Sequence, residues 1–123
     1  MKFTKDHEWI KEVDGQFRVG ITDYAQTELG DVVFVDLPEA GAELGQGDTA
    51  LNVESVKAVS DVYAPVAGKV TAVNDSLNDS PQLVNESPLE DGWLVAMEIS
   101  DASQLDGLMD EAAYAKFVAE LSK

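Results

Sequence analysis

Few residues of this chain could do chemistry, and Lys57 is set apart from the rest by its surroundings. It stands in Val53-Glu54-Ser55-Val56-Lys57-Ala58-Val59-Ser60-Asp61-Val62, with apolar residues alternating on both sides. That alternation describes two strands, and a Lys-Ala pair between them sits at the exposed tip of a tight turn. The tip presents a primary amine to solvent. Taken alone, such a lysine is a solvated charge, so its chemistry depends on what the rest of the chain supplies. The supply is thin. There is no cysteine, which removes disulfides, thiolate metal sites and a Cys nucleophile. There is one histidine, His7, so a Ser-His-acid triad would have to use it, and a zinc site could not gather several imidazoles or thiolates. Beside Trp9 at the start of a strand, His7 reads as a structural or solvated side chain rather than an acid or base. Trp9 and Trp93 read as core or cleft wall. A hydrolase or other enzyme fails for lack of a paired nucleophile and base.

The elements that would position Lys57 follow from pattern. A length of 123 residues with 45% hydrophobic content suits one compact domain spanning 1–123. Residues 8–13 and 16–21 read as strands joined at Asp14-Gly15, a pair that takes the positive φ angles of a type I′ turn. Thr22 is a good N-cap, Asp23 favours the positive end of a helix dipole and Gly30 suits the position after a last turn, so 23–29 reads as a short helix. From Asp31 onward β signals dominate, with strands expected in VVFVDL, TALNVESV, VSDVYAPV, GKVTAV and finally in 93–100. Residues 75–90, rich in Ser, Asn, Asp and Pro, read as ordered loop with a helical turn near 81–85. At the end, Tyr114, Phe117, Val118 and Leu121 recur at helical spacing behind Asp110, which is placed to cap a helix. A shorter helical piece through Leu105 and Leu108 precedes it. The whole is mainly β, a flattened barrel or sandwich with short helices and a C-terminal helix.

Net charge is −16, from 24 acidic against 8 basic side chains. Such a field disfavours nucleic acid and anionic membranes as partners and favours basic protein surfaces, although solubility alone accounts for it equally well. No apolar run approaches the roughly 20 residues that cross a bilayer. The first residues show neither a secretory signal nor a transit peptide, which suggests a bacterial cytoplasmic protein, or a mitochondrial matrix protein only if a transit peptide was removed.

Set beside Ala64-Pro65-Val66-Ala67-Gly68-Lys69-Val70, the Glu54-Ser55-Val56-Lys57-Ala58 segment closely resembles the attachment site of lipoyl proteins, in which an enzyme joins lipoate to the lysine amine as an amide. Biotin carriers have methionines flanking the lysine; Val56 and Ala58 stand there instead and disfavour biotin. Lipoyl modules of the 2-oxoacid dehydrogenases commonly carry Asp-Lys-Ala at the tip and are shorter. Here the site is joined to His7-Glu8-Trp9, to Gly20-Ile21-Thr22-Asp23 with Leu29-Gly30-Asp31, and to Pro88 with Glu90-Asp91-Gly92-Trp93. The ordered set resembles the H-protein family of the glycine cleavage system over nearly the whole chain.

That resemblance implies a lipoyl-domain type of fold, a β-barrel/sandwich hybrid, and a non-catalytic carrier with no metal. It implies lipoate held covalently as lipoyllysine on Lys57, with Glu54, Ser55, Val56 and Ala58 as the attachment motif. The implied partners are the P protein, a pyridoxal-phosphate glycine decarboxylase; the T protein, an aminomethyltransferase using tetrahydrofolate; the L protein, dihydrolipoamide dehydrogenase; and lipoylating enzymes. The carrier would take glycine's aminomethyl group from P to T and its reduced arm to L. Related H proteins fold the loaded arm onto a surface cleft near acidic residues, which by position are Glu8 and Asp61 here. Many members have a His where this chain has Glu28, a departure from the pattern. The alternatives are a lipoyl carrier of a 2-oxoacid dehydrogenase and an H-like protein that relays lipoate; the His7-Glu8-Trp9 and Glu90-Asp91-Gly92-Trp93 segments argue against the first.

Overall fold

A computed structural model describes residues 1–121. In chain order it contains β1 (Lys2–Phe3), β2 (Glu8–Val13), β3 (Gln16–Ile21), α1 (Asp23–Leu29), β4 (Val32–Asp36), β5 (Glu43–Leu44), β6 (Thr49–Ser55), β7 (Val59–Tyr63), β8 (Gly68–Val73), α2 (Ser76–Asp79), α3 (Leu83–Glu86), β9 (Val95–Ile99), a 3-10 turn (Ala102–Gly107) and α4 (Glu111–Leu121).

The β2–β3 hairpin forms where the turn chemistry requires it. Asp14 and Gly15 have φ of 53° and 83°, the two positive angles of a primed two-residue turn. The pairing runs from Val13 and Gln16 at the turn to Glu8 and Ile21 at the open end. Directly after it, Thr22 Oγ1 accepts from Ala25 N at 3.3 Å to start α1, and Gly30, at φ 87°, ends it with its N–H on Gln26 O at 3.0 Å.

Two antiparallel sheets result. One has six strands in the order β1-β2-β3-β9-β8-β5, and the other has three in the order β4-β6-β7. Their inner faces share a buried apolar cluster that includes Ile10, Val19, Val35, Val53, Val70 and Met97. A second cluster of Phe3, Trp9 and Tyr114 is covered by α4. Trp9 lies against its register partner Gly20, where an added Cβ would come within 2.6 Å of the indole. Its Nε1 donates to Ile21 O and Pro88 O at 3.1 and 2.9 Å.

The structure differs from the sequence reading in several places. Residues 75–90 hold two single-turn helices, α2 and α3, where one helical turn in a loop is expected. The polar composition hides their apolar anchors, Leu77 and Val84, which are both buried. Asn85 binds this segment to the rest: its Oδ1 accepts from Val32 N at 2.8 Å and its Nδ2 donates to Gly30 O at 2.9 Å. β1 has no sequence signature because two residues carry no period; it pairs with β2 and bridges Phe3 to Met109. The helical piece near Leu105 is a 3-10 turn. Asp110 caps α4 as expected, with its Oδ1 accepting from Ala113 N at 2.8 Å, but Leu121 remains 47% exposed and leaves the apolar face to Tyr114, Phe117 and Val118. Among the described residues, no helix is long and apolar enough to cross a membrane.

Candidate cofactor-attachment site

Lys57 lies in the turn between β6 and β7, and hydrogen bonds made by its neighbours define that turn. Ser55 N donates to Ala58 O at 2.8 Å, closing the loop. Ser55 Oγ accepts from Lys57 N at 3.2 Å and from Ala58 N at 3.0 Å, the pattern by which a serine hydroxyl imitates a backbone turn. Val56 N donates to Asp31 O at 3.0 Å and fastens the tip to the segment between α1 and β4. The root of the lysine is therefore held from two sides.

The side chain itself is exposed. Its stem runs along Gly30, where an added Cβ would meet Lys57 Cε at 3.2 Å and Cδ at 3.7 Å. Sequence patterning marks Gly30 only as the glycine that ends α1; its second service, as a bed for the lysine stem, comes from a fold contact that no local pattern announces. Among the described residues no carboxylate is in ion-pair contact with the Lys57 amine. Of the other motif residues, Val56 and Ala58 are exposed, while Glu54 is half-buried on β6 between its register partners Phe34 and Val59.

Glu8 and Asp61 come together as walls of a narrow cleft of about 40 Å³ shared with Asp6, Ala25, Leu29 and Ser60. Their environments differ. Glu8 is only 2% exposed, and both of its oxygens are engaged: Oε1 accepts from Thr4 Oγ1 at 2.6 Å and Oε2 from Tyr63 N at 3.1 Å. Burial pushes its carboxyl above the usual carboxylate range, and those two hydrogen bonds pull against the shift. Asp61 is exposed, and its Oδ1 accepts from Asn52 Nδ2, its register partner on β6. Thr4, the hydroxyl that holds Glu8, carries no sequence signal beyond standing four residues before it.

His7 sits at φ 67° with Nδ1 at 2.8 Å from the Tyr114 hydroxyl, which also lies 2.6 Å from Thr22 Oγ1. Its ring packs near Tyr24 and Phe117, so it fastens the N-terminal segment to α1 and α4. Burial lowers its pKa, while the nearby charges of Asp6 and Glu28 act in the opposite direction. Glu28 thus stands in the neighbourhood of His7. Among the described residues no group of three or more His, Asp or Glu side chains is gathered to hold a metal. What this arrangement offers chemically is one exposed amine on a fixed root, free of an ion pair, and that suits a group joined to it as an amide.

The profile of the family described as glycine cleavage H-protein matches residues 1–121. The chain belongs to the glycine cleavage H-protein family. It is 54% identical over 119 residues to a glycine cleavage system H protein of Staphylococcus epidermidis, covering 97% of this chain and 94% of that one. A glycine cleavage system H protein from a second strain of that species is 53% identical over the same coverage. Among solved structures, the crystal structure of a glycine cleavage system H protein from Mycobacterium marinum superposes with a TM-score of 0.83 at 36% identity, covering 96% of this chain and 95% of that one. That likeness extends to the two open sheets, the short helices and the C-terminal helix. An H protein is a carrier component of the glycine cleavage system and not one of its catalysts, and the family is generally one of lipoate carriers.

Proposed function

We propose that Lys57 is the residue that carries lipoate, as lipoyllysine, and that the chain shuttles glycine's aminomethyl group from the P protein to the T protein and then offers the reduced arm to the L protein in the cytoplasm. The observation that carries this reading is the exposed, unpaired Lys57 amine on the braced β6–β7 turn. Attached there, lipoate would supply the redox-active sulfur pair that a chain without cysteine lacks.

The chain's own residues present and orient. Ser55 fixes the turn, Val56 N–H holds it to Asp31, and Gly30 leaves a lane beside α1 along which the lysine stem lies. Glu54, Ser55, Val56 and Ala58 form the surface that a lipoylating enzyme meets around the amine. Amide formation removes the charge of Lys57, so the surroundings become still more acidic. In the cleft, Asp61 is exposed and suited to direct contact with the amine of a loaded arm. Glu8 lines the same cleft with its oxygens occupied, and it acts on such a cation through its charge.

Co-expression with a lipoylating enzyme, followed by intact mass and peptide mapping, tests the assignment. One lipoyl group on the peptide containing Lys57 is expected, with none in a Lys57→Arg variant. Modification that persists in that variant would overturn it.

A further inference from the structure

An antiparallel sheet with one face on the core ordinarily turns polar side chains outward on the other. The three-stranded sheet departs from this near the Lys57 turn. Phe34 of β4, Glu54 of β6 and Val59 of β7 are register partners, so their side chains leave the same face. Phe34 is 48% exposed and Val59 64%. Val33, 52% exposed, takes the extra position of a β4 bulge between the Val32–Ser55 and Phe34–Glu54 pairs. Val56, 70% exposed, adjoins Lys57, and its bond to Asp31 O keeps the turn beside β4. The remaining exposed large hydrophobic among the described residues is Leu121, on α4. Scattered apolar residues need no explanation, but a cluster rimmed by charge marks an interaction surface. This cluster has such a rim: Glu54 lies within it, Asp31 beside it, and Asp36 and Asp61 flank Asn52 in the next register row.

We infer that this patch is the docking surface for the enzyme that acylates Lys57, a partner offering an apolar face framed by basic side chains. The inference rests on the reading of Lys57 as the attachment point. Reach selects the partner. Unmodified lysine has only a four-carbon stem, and here that stem lies along Gly30. An acyl-transferring enzyme must bring its reacting centre to that short amine, so its surface closes over Val56 and the apolar residues next to it. Enzymes that act at the far end of a lengthened arm need no contact with its root. In the transfer, the deprotonated amine attacks the carbonyl carbon of an activated lipoyl donor, a mixed anhydride or thioester. The new N–C bond is the amide, the activating group leaves with the electron pair of its bond to the carbonyl carbon, and two protons pass to solvent, one as the ammonium becomes the amine and one from the nitrogen as the amide forms. Charge fits as well: carboxylates around an apolar centre favour a basic frame and disfavour acidic surfaces.

The test measures initial lipoylation rates of the full chain with an ATP-dependent lipoylating enzyme and lipoate, for wild type, Phe34→Ser, Val59→Thr and Leu121→Ser. Val59→Thr preserves shape and strand preference, so it decides the matter if Phe34→Ser fails to fold. Both patch variants should lose at least about tenfold in kcat/KM, mainly through KM, because each sets a hydroxyl against an apolar partner surface and Phe34→Ser also removes an aromatic anchor. Leu121→Ser should match wild type. After exhaustive lipoylation and chemical reduction of the attached disulfide to the dithiol, with the reductant removed, the patch variants should be oxidised by dihydrolipoamide dehydrogenase and NAD+ at the wild-type rate. Wild-type lipoylation kinetics in folded patch variants would overturn the inference, as would a dehydrogenase step slowed as much as lipoylation. A wild-type chain that accepts no lipoate at Lys57 would instead refute the attachment reading, and the docking inference with it.

Discussion

Glu8 shows how a single residue can join stability to the site. Its carboxylate is buried against Thr4 and Tyr63, and burial raises its pKa above the unfolded value. The folded state therefore binds the proton more tightly than the unfolded state. Stability falls as pH rises from the unfolded pKa through the raised one, and it is level above that window. Glu8→Gln removes the titration while keeping an acceptor for Tyr63 N–H and a donor toward the Thr4 hydroxyl. In urea melts at fixed ionic strength, the variant should gain on wild type as pH rises from the ordinary carboxylate range through the raised pKa of Glu8, and the gain should then stay level. A stability difference that does not change with pH would mean that the fold compensates the buried charge fully. The hydroxyl of Thr4 and the stem contact of Gly30 were illegible at this scale in the sequence, because each depends on a partner brought near by the fold.

At the scale of elements, the β2–β3 hairpin depends on a close approach as well as on its turn. Gly20 is paired with Trp9, and an added Cβ would meet the indole at 2.6 Å with the ring already held by Ile21 O and Pro88 O. Gly20→Ala should therefore cost about 1–3 kcal/mol, the usual penalty of overpacking, read from denaturant melts. A change within about 0.5 kcal/mol would show that the indole can yield. Elements with complete local signals were legible in advance: Asp14-Gly15 between alternating strands, Thr22 and Gly30 around α1, and Asp110 before α4. The strands that support Lys57 were legible too, as was its place in their turn. Elements supported from a distance were not. α2 and α3 are short polar turns fixed by the burial of Leu77 and Val84 and by Asn85 reaching Val32 and Gly30, and β1 exists because β2 and Met109 lie beside it. Leu121 keeps the helical period but stays 47% exposed, outside the cluster that Phe117 and Val118 pack against.

For the molecule as a whole, the net charge of −16 leads to a prediction: if the acidic surface steers the carrier to basic patches on its partners, association depends on ionic strength. Exposed charges are screened beyond about 8 Å at physiological ionic strength, so stopped-flow association with P, T or L protein should slow steeply between low and moderate salt. Association rates flat across that range would leave the charge with solubility as its only role. The central claim, that this H-protein family member is the aminomethyl carrier and that Lys57 bears its arm, has a direct measurement. Lipoylated wild type and Lys57→Arg put through the same lipoylation are incubated with P protein and labelled glycine, then separated from free label. Label on the wild-type carrier, labelled carbon dioxide released in step with it, and a bare Lys57→Arg chain are the predicted result. Label on both chains, or on neither while the wild type is fully lipoylated, would contradict it.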